Sequence, residues 1–463
     1  MAIDLSGQDK LPRAGTVAIH VDASHPLILL ASILCWQTLI DLVIEDLKKT
    51  TKKGFWWMGR KIRVRMHLAA YLLQTLYDYT DRKMEYQIKD NAAFQIFCGI
   101  KIVEGWHAPD HTKIEEFRNR LSVETKKTLA NAIAQAAVNC GFADPRQVDF
   151  DSTVQEANIA YPSDANLMCK LGGIGKKFVD HISQTFPHLL NPDIFIDIKG
   201  VKKRARDYFF LAKNKPKELK REIFKKLHKL VKKQMKPVVD LCQKLTEDQV
   251  TELPWNIKRA FDQIKNDAWR YLLDVGHFTR THSLKAGKIL SFHAKELTCI
   301  KKGKLGKEHE FGRVFQLGRI KGNFLFALQS HCVAMNDKTC FVSLLEEHAK
   351  LFGEENLETI AVDKGYWSSK NEKFLQSLGV ATAGLQRPAN IKNKPKDLDL
   401  EEHLRNRRAG IEPLIGHVKH GGQLGKSRMK TDTGTLGAGY GSILGFNLRQ
   451  MIRYQQGKIT MAT

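Results

Sequence analysis

The sequence predicts an α/β protein in three parts, and three observations support this prediction. Apolar residues recur at helical spacing from about residue 25 to residue 141. Apolar and polar residues then alternate as in strands, first near Asp151 and again beyond residue 286, beginning with a predicted strand at Lys288–His293. A strongly basic stretch with helical periodicity lies between them. We therefore predict an all-helical N-terminal domain over residues 1–143, a catalytic core over 144–164 and 286–463, and a long basic helical insertion over 165–285.

Charge and length limit the class of protein. The chain has 463 residues and a formal net charge of +24, which favours nucleic acid or an anionic membrane surface as partner. No apolar run approaches the roughly 18 residues needed to span a bilayer, and the N-terminus lacks the features of a signal peptide. We expect a cytoplasmic protein without a membrane partner.

Cysteine and glycine patterns argue against several cofactors. The eight cysteines are scattered without a C-x-x-C pair, which favours buried reduced thiols over a disulfide framework or a zinc site. The glycine-rich segments around Gly175 and Gly439 do not match the patterns of nucleotide-binding loops. We expect no nucleotide cofactor.

The N-terminal helices contain one cationic edge. Residues 52–66 form a basic and aromatic loop that begins K-K-G-F-W-W-M-G-R-K. Such a loop suits the DNA backbone, although the helices around it also fit a plain packing domain.

The first strand carries two carboxylates. Val148 and Phe150 alternate with Asp149 and Asp151, so a strand here places both aspartates on one face. Paired carboxylates are metal ligands in many enzymes, but a solvated edge strand has the same pattern.

The insertion carries the densest positive charge. Residues 201–237 contain fifteen Lys and Arg against three acidic residues, and their apolar residues keep helical spacing. A charged helix face is often only solvated, but so large an imbalance favours contact with a polyanion. The candidate DNA-binding residues on this helix are Lys225, Lys226, Lys229, Lys232 and Lys233.

Asp363 is predicted at the end of a later strand. Ile360 and Val362 alternate with Ala361 and Asp363, directly before Gly365. Ligands bind at strand ends in open α/β sheets, whereas an aspartate that caps a helix gives the same short motif.

The segment from Arg405 to Lys419 places one carboxylate between basic residues. At helical spacing, Arg405, Arg408, Glu412 and Lys419 share one stripe. A metal-binding carboxylate beside phosphate-binding cations fits this pattern, and so does an amphipathic helix with ion pairs. Pro413 indicates that the helix either kinks there or begins its regular part there.

These motifs resemble those of bacterial insertion-sequence transposases of the DDE class. Arg408, Glu412 and Lys419 have the spacing around the third acidic residue of that family, and I-E-P-L-I-G-H-V-K is similar to the form in one large subgroup. The family pattern opens with Tyr where this chain has Arg405. D-S-T-V-Q-E-A-N resembles the first-aspartate motif, which selects Asp151 over Asp149, and D-K-G-Y resembles the second. P-D-H-T-K-I-E-E-F-R-N-R-L at 109–121 resembles the family's N-terminal domain.

The resemblance implies a ribonuclease H-like core in which Asp151, Asp363 and Glu412 hold two Mg²⁺ or Mn²⁺ ions. It implies a DNA transposase that cleaves the ends of its element, binds the terminal inverted repeats, joins the 3′ hydroxyls to target DNA, and works as a homodimer. Arg408, Lys419 and Arg405 would face phosphate. The alternatives are a ribonuclease H-like nuclease without strand transfer and a non-catalytic DNA-binding protein descended from a transposase.

Overall fold

A computed structural model gives the structure of the chain. It describes residues 20–50, 63–99, 108–191, 194–211, 216–285, 287–304, 307–332, 335–353, 357–380, 382–385, 398–429 and 431–461. The chain divides into two compact units. The first unit combines residues 1–158 with 298–463, and the second comprises residues 159–297.

The N-terminal part of the first unit is helical, as the apolar spacing predicts. Its described helices are α1 (Pro26–Ile33), α2 (Trp36–Thr50), α3 (Val64–Tyr77), α4 (Asp81–Asp90), α5 (Ala92–Phe97), α6 (His111–Arg120) and α7 (Val123–Asn139). The side chains of Thr80, Asp110 and Ser122 begin α4, α6 and α7 by accepting backbone N–H groups of the first turn. Most of the basic loop predicted over residues 52–66 lies outside the described residues, which resume at Arg63.

The second unit is also helical. It contains α8 (Asp164–Thr185), α9 (Ile198–Arg206), α10 (Lys217–Lys244), α11 (Glu247–Glu252), α12 (Trp255–Gln263) and α13 (Trp269–Thr281). Leu227, Val231 and Met235 of α10 are buried in its core. The opposite face of α10 is therefore left to polar and basic residues.

One predicted strand is wrong. The segment Lys288–His293 alternates like a strand, yet it forms irregular backbone in the second unit. Phe292 is buried there among helical residues, and the Ser291 hydroxyl accepts the N–H groups of His293 and Ala294. Burial of one aromatic side chain and a local turn therefore explain the alternation.

A six-stranded mixed sheet forms the centre of the first unit. Its strands are β1 (Asp144–Glu156), β2 (Thr298–Lys304), β3 (Lys307–Lys321), β4 (Phe324–His331), β5 (Thr359–Val362) and β6 (Thr382–Leu385). The order is β2-β3-β1-β5-β6, with β4 paired to β3. β1 runs antiparallel to β3 but parallel to β5, which in turn runs parallel to β6. The predicted α/β class is confirmed by this arrangement.

The remaining helices follow the strands. They are α14 (Asp337–Phe352), α15 (Ser369–Ser377), α16 (Leu398–Ala409), α17 (Ile411–His420) and α18 (Asp432–Gln455). Gly410 separates α16 from α17, and Pro413 lies in the first turn of α17, where a missing N–H breaks no helical hydrogen bond. The helix therefore does not kink at Pro413, and its regular part begins there instead.

Two buried asparagines satisfy the open side of β4. Asn131 of α7 accepts the N–H of Ala327 and donates to its carbonyl, at 2.8 and 2.9 Å. Asn447 of α18 does the same for Leu325, at 3.0 and 2.6 Å. An unpaired strand edge is otherwise a site for pairing with another chain. These amides join the N-terminal helices, the sheet and α18 in one body.

The N-terminal helices and the sheet also share one hydrophobic core. Leu72 of α3, Phe150 of β1 and Leu444 of α18 belong to the same buried cluster. A Cβ on Gly445 would lie 2.0 Å from the carbonyl oxygen of Thr75, so α18 approaches α3 more closely than other residues permit. The segment predicted as a separate domain over 1–143 therefore packs continuously with the sheet.

No single helix in the described parts of the chain is long and apolar enough to span a membrane, although the bent pair α1 and α2 reaches the length and composition together. Cys98, Cys242 and Cys340 are buried, whereas Cys35 and Cys299 are exposed.

Candidate functional site

The sheet brings Asp151 and Asp363 to the same place. β1 and β5 are parallel neighbours in which Asp149 pairs with Ala361. Asp151 and Asp363 each follow two residues later, so the side-chain alternation of strands puts them at the same level and on the same face. Both lie toward the carboxyl end of this parallel pair, where open α/β sheets bind ligands.

The Asp151 carboxylate is buried without full compensation of its charge. Its side chain is 13% exposed, and one oxygen accepts from Arg408 Nη2 at 3.1 Å. The other oxygen accepts the backbone N–H of Ser152 at 2.8 Å. Burial raises the pKa of Asp151 to about 6, and the negative charge of Asp363 adds to this effect, while Arg408 and Ser152 oppose it. The environment therefore favours an additional positive charge beside Asp151.

Asp363 occupies both positions that its sequence allows, the end of a strand and the cap of a short helix. It directly follows β5 and caps the 3₁₀ helix Lys364–Tyr366 by accepting the N–H of Gly365 at 2.7 Å. That bond uses one carboxylate oxygen, Oδ1. Asp363 thus caps the helix with one carboxylate oxygen and keeps the other as an acceptor on the side of Asp151.

Glu412 joins the site through Arg408. It lies in the first turn of α17, and its Oε1 is 3.1 Å from Arg408 Nη2, the same nitrogen that contacts Asp151. The Glu412 side chain is 61% exposed, so it is free to turn toward the strand ends. Arg408 Nε is buried and has no hydrogen-bond partner among the described residues. One guanidinium therefore bridges two of the predicted metal ligands and retains an unused donor.

Asp337 is a fourth carboxylate that the sequence prediction missed. Its Oδ2 and the Oδ1 of Asp363 lie 3.4 and 2.9 Å from the position that a Cβ on Gly365 would take. Burial raises the pKa of Asp337, and the charge of Asp363 contributes, against a hydrogen bond from Gln316. The pair Asn336-Asp337 at the start of a helix was the available signal, but it reads as an ordinary cap.

Gln316 and Tyr366 hold Asp337 in place. Gln316 Nε2 donates to Asp337 at 2.9 Å, and the Tyr366 hydroxyl donates to Gln316 Oε1 at 2.7 Å. Gln316 is 1% exposed and Tyr366 is fully buried. Burial, together with the surrounding carboxylates, raises the pKa of Tyr366 well above its usual range. This chain of hydrogen bonds fixes Asp337 from the side of the core.

Asp149, the fallback candidate on the same strand face, has a different environment. Arg319 Nε and Arg407 Nε donate to its two oxygens at 2.9 and 3.0 Å. Asp149 is 3% exposed, and Arg319 stands opposite it in the register of β1 and β3. Arg407 also donates to the Val148 carbonyl, so this cluster ties α16 to the sheet. Two arginines already balance the Asp149 charge.

The other predicted phosphate-binding residues occupy different positions. Lys419 is partly buried in the last turn of α17, about 10 Å along the helix axis from Glu412. Arg405 is exposed on α16 and pairs with Glu402 at 3.3 Å. Arg405 therefore faces solvent and pairs with Glu402, whereas Arg408 pairs with Asp151.

The predicted lysines of α10 lie in the second unit. Lys225, Lys226, Lys229 and Lys233 are exposed, and Lys232 is half-buried beside the Trp269 ring. Lys226 pairs with Glu222 at 2.7 Å. These five lysines, which we call the α10 lysine face, form the cationic side of a helix whose other side is core.

The carboxylates fit a divalent cation by donor type and by charge. Carboxylate oxygens are the ligands that Mg²⁺ prefers, and the raised pKa of Asp151 indicates missing positive charge. Within the described residues, no group of three or more His, Cys, Asp or Glu side chains has the spacing of a formed metal site. The cation that contacts both Asp151 and Glu412 in the structure is Arg408.

Comparison with known proteins adds one family. Residues 16–120 match the family described as Transposase domain (DUF772). A protein of Rhizobium meliloti, described as uncharacterized protein ORF8 in the nfe locus, is 28% identical over 109 residues, which cover 23% of this chain and 53% of that protein. The match thus spans about half the length of that relative. No solved structure matches the chain. These findings support a transposase family on the N-terminal part of the chain.

Proposed function

We propose that the chain is a DDE-type DNA transposase that cleaves the ends of its insertion element and joins the 3′ hydroxyls to target DNA. One observation carries the proposal. Asp151 and Asp363 each follow the paired residues Asp149 and Ala361 of neighbouring parallel strands by two positions, and Arg408 links Asp151 to Glu412. The transposase family match to residues 16–120 agrees with this assignment.

Asp151, Asp363 and Glu412 would hold two Mg²⁺ or Mn²⁺ ions, with Asp151 shared between them. Bound divalent ions lower the pKa of an attacking water or 3′ hydroxyl and stabilise the leaving oxygen of a phosphodiester. Asp337 supplies further negative charge close to Asp363. For Glu412 to take part, its exposed side chain must leave Arg408 and turn toward Asp151.

Arg408 would then bind the phosphate. Its Nε has no partner in the described structure, and its Nη2 becomes available once the carboxylates have another cation. A guanidinium forks onto two phosphate oxygens in a fixed geometry. Lys419 on α17 and Arg405 on α16 would contact flanking phosphates.

The strand order supports a ribonuclease H-like core. An antiparallel β3 lies on one side of the long β1, and two parallel strands, β5 and β6, lie on the other. The helices of residues 159–297 enter directly after β1, which supports the predicted basic insertion. The three predicted acidic residues come from β1, from the end of β5 and from a helix after β6.

DNA is the partner that this proposal requires. The α10 lysine face and the basic segment of residues 52–66 would follow the backbone of the terminal inverted repeats, while the catalytic unit takes target DNA. Pairing two element ends calls for two active sites, so we propose a homodimer in the synapsed complex. The protein would work in the cytoplasm without a nucleotide cofactor.

An assay with labelled element ends tests the proposal. The protein, a linear DNA bearing both ends, a supercoiled target and Mg²⁺ should give nicked ends and end-to-target joints. Glu346→Gln, on the exposed side of α14, is the control and should retain both products. Cleavage without joints would indicate a nuclease, and binding without cleavage would indicate a non-catalytic DNA-binding protein.

A further inference from the structure

A cavity of about 200 Å³ lies between the N-terminal helices and α18 in the first unit. It is separate from the strand-end carboxylates. Its walls include Tyr71 and Gln74 of α3, Lys126 of α7 and Gly437 of α18.

Lys126 is a buried cation without a hydrogen-bond partner in the described part of the chain. It is 6% exposed, and its ammonium lies 3.2 Å from the position of a Cβ on Gly437. Burial lowers the pKa of Lys126 to about 8, the charge of Arg118 lowers it further, and Asp46 partly opposes both. A buried ammonium normally pairs with a carboxylate, or its pKa falls. Lys126 lines the cavity, so an anion bound there would lie beside its ammonium.

The two aspartates of the cavity wall do not supply that anion, because each already pairs with an arginine. Arg118 pairs with Asp81, and Arg428 forms a two-pronged pair with Asp78. Each of these aspartates is therefore already matched by a cation on the same wall. Among the charged residues of the cavity wall, the Lys126 ammonium is in excess.

Two further polar groups face the cavity with unused capacity. Gln74 is 6% exposed, its Nε2 donates to Asp81 at 2.7 Å, and its buried Oε1 has no partner among the described residues. Because a carboxylate accepts only from the amide nitrogen, this bond fixes the orientation of the Gln74 amide. The Tyr71 hydroxyl lies 3.4 Å from the position of a Cβ on Gly441 and makes no described hydrogen bond.

We propose that this cavity binds a phosphate group, with Lys126 and Tyr71 donating to its oxygens. The volume suits a small tetrahedral anion rather than a large organic ligand. Gln74 Oε1 would accept from a P–OH group, which inorganic phosphate carries and a phosphodiester lacks. The N-terminal turn of α18, at Gly434, adds the positive end of a helix to the same wall.

Titration calorimetry with inorganic phosphate tests this binding without metal or element DNA, so its outcome is independent of the proposed transposition. At constant ionic strength set with chloride, the parent protein should bind one phosphate, and Lys126→Met should bind it about tenfold more weakly or worse, the loss that corresponds to one charged contact. Lys48→Met, which removes an exposed lysine from α2, should bind like the parent. Equal affinity in Lys126→Met would overturn the proposal, as would no binding to the parent.

Tyr71→Phe provides a second variant, which keeps the shape of the cavity and loses only the hydroxyl. Its phosphate affinity should also fall, and unchanged affinities in both variants would exclude the cavity.

Dimethyl phosphate distinguishes the two sources of a phosphate group. Competition by dimethyl phosphate as strong as by inorganic phosphate would indicate the DNA backbone, and much weaker competition would indicate free phosphate.

Discussion

Two aspartates two residues apart on one face of β1 have opposite environments. Asp149 receives bonds from Arg319 and Arg407 and is closed to solvent. Two residues later, Asp151 has one arginine, a carboxylate neighbour in Asp363 and a pKa raised to about 6. An aspartate on this face therefore stabilises the fold where arginines neutralise its charge, and it is available for chemistry where they do not.

The α10 lysine face extends this comparison to positive charge. Four of its five lysines are exposed, and Glu222 is the acidic partner of Lys226. Water and salt screen those exposed charges, so their mutual repulsion costs little even before a polyanion binds. At Asp151 the imbalance is local and buried, whereas on α10 it is distributed over a surface. The first arrangement suits a metal ion, and the second suits a DNA backbone.

The largest expected effect is on cleavage by Asp151→Asn. The amide keeps the shape of the side chain but loses the charge that would hold a divalent ion, so we expect cleavage to fall about 1,000-fold or more. Asp363→Asn and Glu412→Gln should behave alike, and DNA binding should stay within about twofold of the parent. Cleavage of labelled element ends measures this. Activity above a few per cent in any of the three would remove that residue from the proposed triad.

Asp149→Asn should affect stability instead. The change leaves Arg319 and Arg407 as buried charges without their carboxylate, which costs about 3–5 kcal/mol of unfolding free energy. Denaturant unfolding of the parent, Asp149→Asn and Asp151→Asn measures the difference. Asp151→Asn is the matched control and should lose much less, because Asp151 has fewer cationic partners. Equal losses of unfolding free energy in both variants would show that the arginines stabilise the fold no more through Asp149 than through Asp151.

Part of this arrangement was predictable from local pattern and part was not. Alternation predicted that Asp149 and Asp151 share one face of β1 and that Asp363 ends a later strand, because strand periodicity is local. The arginines around Asp149 come from β3 and α16, so only the tertiary pairing reveals them. Asp337 looks like a helix cap in the sequence, and its approach to Asp363 depends on where α14 meets the sheet. The wrong strand at Lys288–His293 shows alternation produced by one buried ring.

Charge reversal on the α10 lysine face should change affinity rather than chemistry. Each phosphate neutralised contributes about 0.9 to the slope of log K against log salt, so replacing Lys225, Lys226, Lys229, Lys232 and Lys233 by Glu should flatten that slope by several units. Binding should weaken on all DNA sequences alike, and cleavage at saturating DNA should persist. Replacement of the same five by Arg keeps the charge and should keep the slope. An unchanged slope after reversal would identify this face as merely solvated.

Lys126 provides the test with the smallest expected effect. It is a buried cation with too little opposing charge, just as Asp151 is a buried anion with too little. Its folded pKa of about 8 lies below the usual 10.5, so the unfolded chain binds more protons between these values and stability should rise with pH there. The gain should be at most about 3 kcal/mol in unfolding free energy, from 1.36 kcal/mol per pKa unit. Lys126→Met should remove this rise, while Lys48→Met should retain it. Parallel pH profiles for Lys126→Met and the parent in denaturant unfolding would show that the Lys126 ammonium is compensated within the folded chain.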